Sequence, residues 1–181
     1  IKIVDPKADE YLKLAKKYPE FTVLRWSDLR FNPLTPPPNV PQNEWNQTIV
    51  GHMSQCYNFW QGAEALLIRF LNKNELHSST ISQLLSRIRG QKAFSQKDAM
   101  IISTVTSRLQ MMIDLSGDVI QTNSNMLEAL VNQKVIILTS GLMSESDSWF
   151  TEFLLIWEYM YRVYNPDKRH LTLHIYDECQ H

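Results

Sequence analysis

The stretch KVIILTSG, residues 134–141, sets the tightest limit on how this chain can fold. Its apolar residues Val135, Ile136, Ile137 and Leu138 run without a polar break and a glycine bounds the stretch, the pattern of a strand buried on both faces. Such strands belong to parallel sheets with helices on each side. A long helix is expected next, over residues 144–164, with Phe150, Phe153, Leu154, Trp157, Met160, Tyr161 and Tyr164 inward. Ser144 can open it and Asn165-Pro166 closes it. Its aromatic residues Trp149, Trp157, Tyr159, Tyr161 and Tyr164 read as packing groups. The run LTLHIY, residues 171–176, is then a second strand, giving a β-α-β unit.

The start of the chain repeats this order. IKIV reads as a buried strand, and residues 21–24 as another. Between them a helix places Tyr11, Leu12, Leu14, Ala15 and Tyr18 near one face and Lys13, Lys16 and Lys17 on the other, ending at Pro19.

Between the two units the period changes. FNPLTPPPNVPQ holds Pro33, Pro36, Pro37, Pro38 and Pro41, which bars regular elements and predicts an extended, stiff connector. From Trp45 through Ile49, Met53, Tyr57, Trp60, Ala63 and Leu67 to Phe70 the spacing is helical, predicting one long helix over residues 44–71. Further helices fit residues 79–88, 95–113 and 124–132, the middle one opened by Ser95 and Asp98 in an acidic variant of the capping box. The expected architecture is α/β: a parallel sheet contributed by residues 1–43 and 133–181, interrupted by an all-helical insert at 44–132.

Charge adds little. Lys plus Arg number 18 against 19 Asp plus Glu, so any nucleic-acid contact needs a local patch. SRIRGQKAFSQK supplies Arg87, Arg89, Lys92 and Lys97 without an acid, either a phosphate-contacting patch or a solvated basic loop. Cys56 and Cys179 read as having no Cys or His at ligand spacing, and His52, His77, His170 and His174 as scattered, which argues against a metal cluster. No apolar run reaches the length of a membrane span, and a cytoplasmic setting is the expectation. The opening Ile1, without an initiator Met, points to a piece of a longer protein.

In doubly wound sheets ligands bind beyond the carboxyl ends of the strands, where the sequence offers Asp5, Ser140 and the pair Asp177-Glu178. Phosphoryl transfer needs a carboxylate near a Mg²⁺ and a second group to orient the attacking water, and adjacent carboxylates can divide those tasks. Taken alone, an Asp-Glu after a strand is equally a strand meeting a solvated turn.

The combination DPKADEYLKLA, FNPL, a helical stretch with SRLQ, NMLEALVNQKVIILTSGL and IYDECQH resembles the HerA/FtsK-type ATPases, including the coupling and secretion ATPases of conjugation systems. The resemblance implies a sheet of P-loop NTPase type, ATP and Mg²⁺ as cofactors, and a ring-shaped homo-oligomer that translocates or processes DNA beside other subunits of such a complex. It makes Asp177 the Mg²⁺-associated aspartate and Glu178 the catalytic glutamate. Gln180 and His181 become the residues past them that sense or relay nucleotide state, and Asp5 and Lys7 the DPK positions near the cofactor. Two departures stand out: Ala8 occupies a position usually held by glycine, and neither GxxxxGKS nor GxxxxGKT occurs, so the chain as given is not expected to hydrolyse ATP. DECQH also fits motif II of a DExH-type helicase, and a helical scaffold without enzymatic activity is the third reading.

Overall fold

The computed structural model describes residues 1–5, 7, 10–73, 79–140, 144–168 and 173–176. Among them four strands form one sheet: β1 (Lys2–Asp5), β2 (Phe21–Arg25), β3 (Lys134–Leu138) and β4 (His174–Tyr176). Their order is β2-β3-β1-β4 and every pairing is parallel. Seven α-helices are described, α1 (Glu10–Lys17), α2 (Gln42–Tyr57), α3 (Gln61–Leu71), α4 (Ile81–Arg89), α5 (Gln96–Ser116), α6 (Leu127–Leu130) and α7 (Ser144–Tyr164).

The alternation of side chains along each strand divides the core. Ile3, Ile136 and Leu138 face one side, where Tyr11, Leu12, Leu14 and Ala15 of α1 cover them. Val4, Val135 and Ile137 belong to the other side, with Phe150, Phe153, Leu154, Trp157 and Tyr161 of α7. The connection β1-α1-β2 passes β3 in one direction and β3-α7-β4 passes β1 in the opposite one. Right-handed crossovers running in opposite directions must lie on opposite faces, as these two helices do.

The core on the α7 side is continuous with the helices between β2 and β3, taking in Trp45, Ile49 and Met53 of α2, Leu67 and Phe70 of α3, Leu84 of α4 and Leu109 of α5. An aromatic stack joins the parts: Phe31 lies 5.1 Å from Phe153 in a stacked arrangement, and Trp149 lies 5.2 Å from Phe153. Trp149, Trp157 and Tyr161 are buried as expected, whereas Tyr159 is 67% exposed on the outer face of α7.

Two local expectations change. The long helix of residues 44–71 is two helices, because Asn58 adopts the left-handed conformation (φ 52°, ψ 51°) and donates its amide to the Ser54 carbonyl, closing α2. Asparagine tolerates that conformation better than most residues. Trp60, in extended conformation, then opens α3 and is 42% exposed. The proline-rich segment is likewise no extended spacer. It turns at Asn32–Thr35 and Pro37–Val40, buries Phe31, Leu34 and Val40, and is pinned to the end of α7 by Asn165 Nδ2 donating to the Pro38 carbonyl. In FNPL, Asn32 donates to the Ser79 carbonyl and accepts from the Leu34 amide, while Trp45 Nε1 donates to the Pro33 carbonyl.

Candidate functional site

β1 and β3 are neighbours whose following helices leave to opposite faces, so a crevice is expected beyond their carboxyl ends. Asp5 closes β1 there, fully buried; its backbone carbonyl accepts from the Thr139 amide at 3.1 Å and its Oδ1 accepts from the Lys7 amide at 3.1 Å. The second bond is of the Asx type, in which an Asp side chain accepts from the amide two residues on, and Lys7 is exposed at the same edge. Thr139 is buried with a hydroxyl that has no hydrogen-bond partner among the described residues, and Ser140 beside it is exposed.

The structure therefore brings Asp5, Lys7 and the end of β3 to one edge. Asp177, Glu178, Gln180 and His181 lie outside the described residues, as does Ala8. The described donors do not by themselves fit a Mg²⁺-nucleotide: the Asp5 carboxylate is buried and caps a turn, and the sequence holds no phosphate-binding loop. No hydrolytic step follows from them.

A second concave surface lies between α3 and α5, a groove of about 510 Å³ bordered by Arg69, Lys73, Lys92, Phe94, Asp98 and Ile101. Of the basic residues expected to act together, Lys92 reaches it, while Arg89 donates instead to Gln110 Oε1 at 2.9 Å. Arg69 of α3 and Lys73, two residues past its end, were not part of the linear run; the packing of α3 against α5 brings them to the groove that Lys92 also borders. Phe94 is 85% exposed at the rim.

Two polar clusters hang from α7. Glu158 is buried below the sheet, where it pairs with Lys2 of β1, with Arg162 one turn on at 2.6 Å, and with His174 of β4 at 3.3 Å. Burial pushes its carboxyl up, but the hydrogen bonds from His174, Lys2 and Arg162 outweigh that and hold it well below the usual carboxylate range.

The other cluster corrects the reading of Cys56 as lacking a nearby histidine. His52 stands four residues before it on α2, and Glu152 of α7 meets both. His52 is buried; its Nε2 lies 2.9 Å from the Trp149 carbonyl, and its Nδ1 lies 3.7 Å from Cys56 Sγ and 3.4 Å from Glu152 Oε2. Burial lowers the His52 pKa, favouring the neutral ring. A carbonyl can only accept, so Nε2 carries the proton and the Nδ1 lone pair faces the thiol and carboxylate. The i, i+4 spacing was the available signal; the contribution of α7 was not visible in the sequence.

Neither a scan against protein-family models nor a search of the curated proteins returns a match to this chain.

Proposed function

We propose that the chain is part of the ATPase core of a HerA/FtsK-type motor that couples ATP hydrolysis to DNA translocation or processing, the activity residing in the intact parent protein. The observation that carries the reading is the pairing of β1 with β4. The two are parallel neighbours with Val4 opposite Tyr176, and the residues that follow them in the sequence are Asp5 and Asp177. The DPK-type segment thus starts at the carboxyl end of β1 and the Asp-Glu pair comes next after β4 in the sequence, two adjacent strands of one parallel sheet, and it is beyond the carboxyl ends of such strands that ligands bind. In this reading Asp177 holds Mg²⁺, Glu178 orients water, and Gln180 and His181 relay nucleotide state within a ring of identical subunits. The cationic groove of Arg69, Lys73 and Lys92 suits a phosphate backbone.

ATP turnover by the full-length protein, with and without double-stranded DNA, tests this. Glu178→Gln should abolish turnover while sparing nucleotide binding. Turnover unchanged by Glu178→Gln overturns the assignment. With DNA present, Arg69→Glu with Lys92→Glu should remove the stimulation and leave basal turnover intact.

A further inference from the structure

The three side chains of the second cluster present different donor atoms to one point. Imidazole nitrogen, thiol sulfur and carboxylate oxygen together form a set that suits borderline divalent transition metals, zinc above all. A tetrahedral Zn²⁺ with its usual bonds, about 2.0–2.1 Å to nitrogen, about 2.3 Å to sulfur and about 2.0–2.2 Å to oxygen, holds those atoms roughly 3.3–3.6 Å apart. In this structure Nδ1 to Oε2 is 3.4 Å, Nδ1 to Sγ 3.7 Å and Sγ to Oε2 3.7 Å. The triangle is that of one face of a coordination tetrahedron, its two sulfur edges open by about a tenth of an ångström.

We infer that His52 Nδ1, Cys56 Sγ and Glu152 Oε2 form a binding site for a divalent transition-metal ion of zinc type, clipping α2 to α7. The support behind the ligands favours it. The Trp149 carbonyl accepts a hydrogen bond from Nε2–H and fixes the tautomer that aims Nδ1 inward, the arrangement that orients metal-bound histidines. The Trp149 ring stacks on the imidazole, 6.0 Å between centroids and 21° between planes, and holds its orientation. Glu152 is half exposed, which gives an ion a path from solvent. In the metal-free protein, burial first and then the Glu152 charge push the Cys56 thiol up to about 12, so it is no nucleophile at neutral pH. Binding the ion replaces the thiol proton by a metal–sulfur bond, releasing one H⁺.

The test is Co²⁺ titration of the untagged full-length protein, followed by absorption, with Zn²⁺ competition. The expected result is a thiolate-to-cobalt charge-transfer band with the strong visible bands of four-coordinate Co²⁺, saturating at one equivalent and erased by Zn²⁺. Cys56→Ser should lose the charge-transfer band, and Glu152→Gln, at a half-exposed position that leaves the fold intact, should weaken binding by about tenfold or more, the scale set by supporting groups alone. Absence of the band in the wild type, or a band unchanged in both variants, overturns the site and leaves a hydrogen-bonded triad.

Discussion

Glu152 and Glu158 sit fewer than two turns apart on one helix, and their surroundings are opposite. Glu158 is 3% exposed and is met by Lys2, Arg162 and His174, so its charge is answered from β1 and from its own helix, with a further polar contact from β4. Glu152 is half exposed and faces a neutral imidazole and a thiol, neither of which brings a positive charge. A buried carboxylate supplied with cations is a fastening between elements. A carboxylate facing a neutral imidazole and a thiol that can give up its proton is a place where a cation can be added. The same helix thus fastens the sheet at one point and offers a site at another.

The largest effect should come from breaking the fastening. Glu158→Gln removes the charge that Lys2 and Arg162 share beneath the sheet, and removing one partner of a buried ion cluster costs about 3–5 kcal/mol. Urea unfolding measures it; a loss below about 1 kcal/mol, the range of exposed ion pairs, would erase the distinction.

The same carboxylate gives the pH dependence a sign. Its pKa is depressed in the folded protein, by hydrogen bonds from His174, Lys2 and Arg162 that outweigh the upward push of burial, so the unfolded chain takes up that proton first as pH falls. Its contribution is full above the unfolded carboxylate value, about 4.3, and drains away as pH drops below it. Thermal midpoints across the acid range should fall more steeply for the wild type than for Glu158→Gln. Parallel curves would mean the pairing carries no net stabilisation.

Zinc should act on the other cluster alone. At a free concentration of 100 times its Kd an ion that binds only the folded state stabilises by about 2.7 kcal/mol. Wild type and Glu158→Gln should both gain that amount, whereas Cys56→Ser and Glu152→Gln should gain far less at the same concentration. Equal gains in all four would place the ion elsewhere.

What the sequence disclosed follows from how local each feature is. The strands of KVIILTSG and IKIV, the helix of residues 144–164 and the Ser95 cap, whose hydroxyl accepts from Asp98 N at 3.1 Å, were legible because a few consecutive residues determine them. The break at Asn58 was not, since the apolar spacing continues through it and only one backbone conformation interrupts the helix. The prolines correctly forbade regular structure, but the bond that ties the Pro38 carbonyl to Asn165 depends on a residue more than a hundred positions away. Both α7 clusters share that obstacle: Lys2 and Glu158 are separated by 156 residues, and His52 and Trp149 by 97. The resemblance singled out FNPL, and the structure gives that element a packing role through Phe31, Asn32 and Leu34.

The smallest expected effect separates the two glutamates most cleanly. In the metal-free protein Glu152→Gln removes a half-exposed charge beside a neutral ring, keeps the side chain's size and leaves the His52 bond to the Trp149 carbonyl untouched. A substitution of that kind changes stability by no more than about 0.5 kcal/mol. Glu152→Gln and Glu158→Gln are the same chemical change on one helix, so side-chain size and helix propensity cancel between them. The difference that remains in urea unfolding measures what the cations around Glu158 do. A metal-free Glu152→Gln protein that loses several kcal/mol would mean that His52 carries a proton and that the second cluster is an ion pair in its own right, with no lone pair at Nδ1 for a metal.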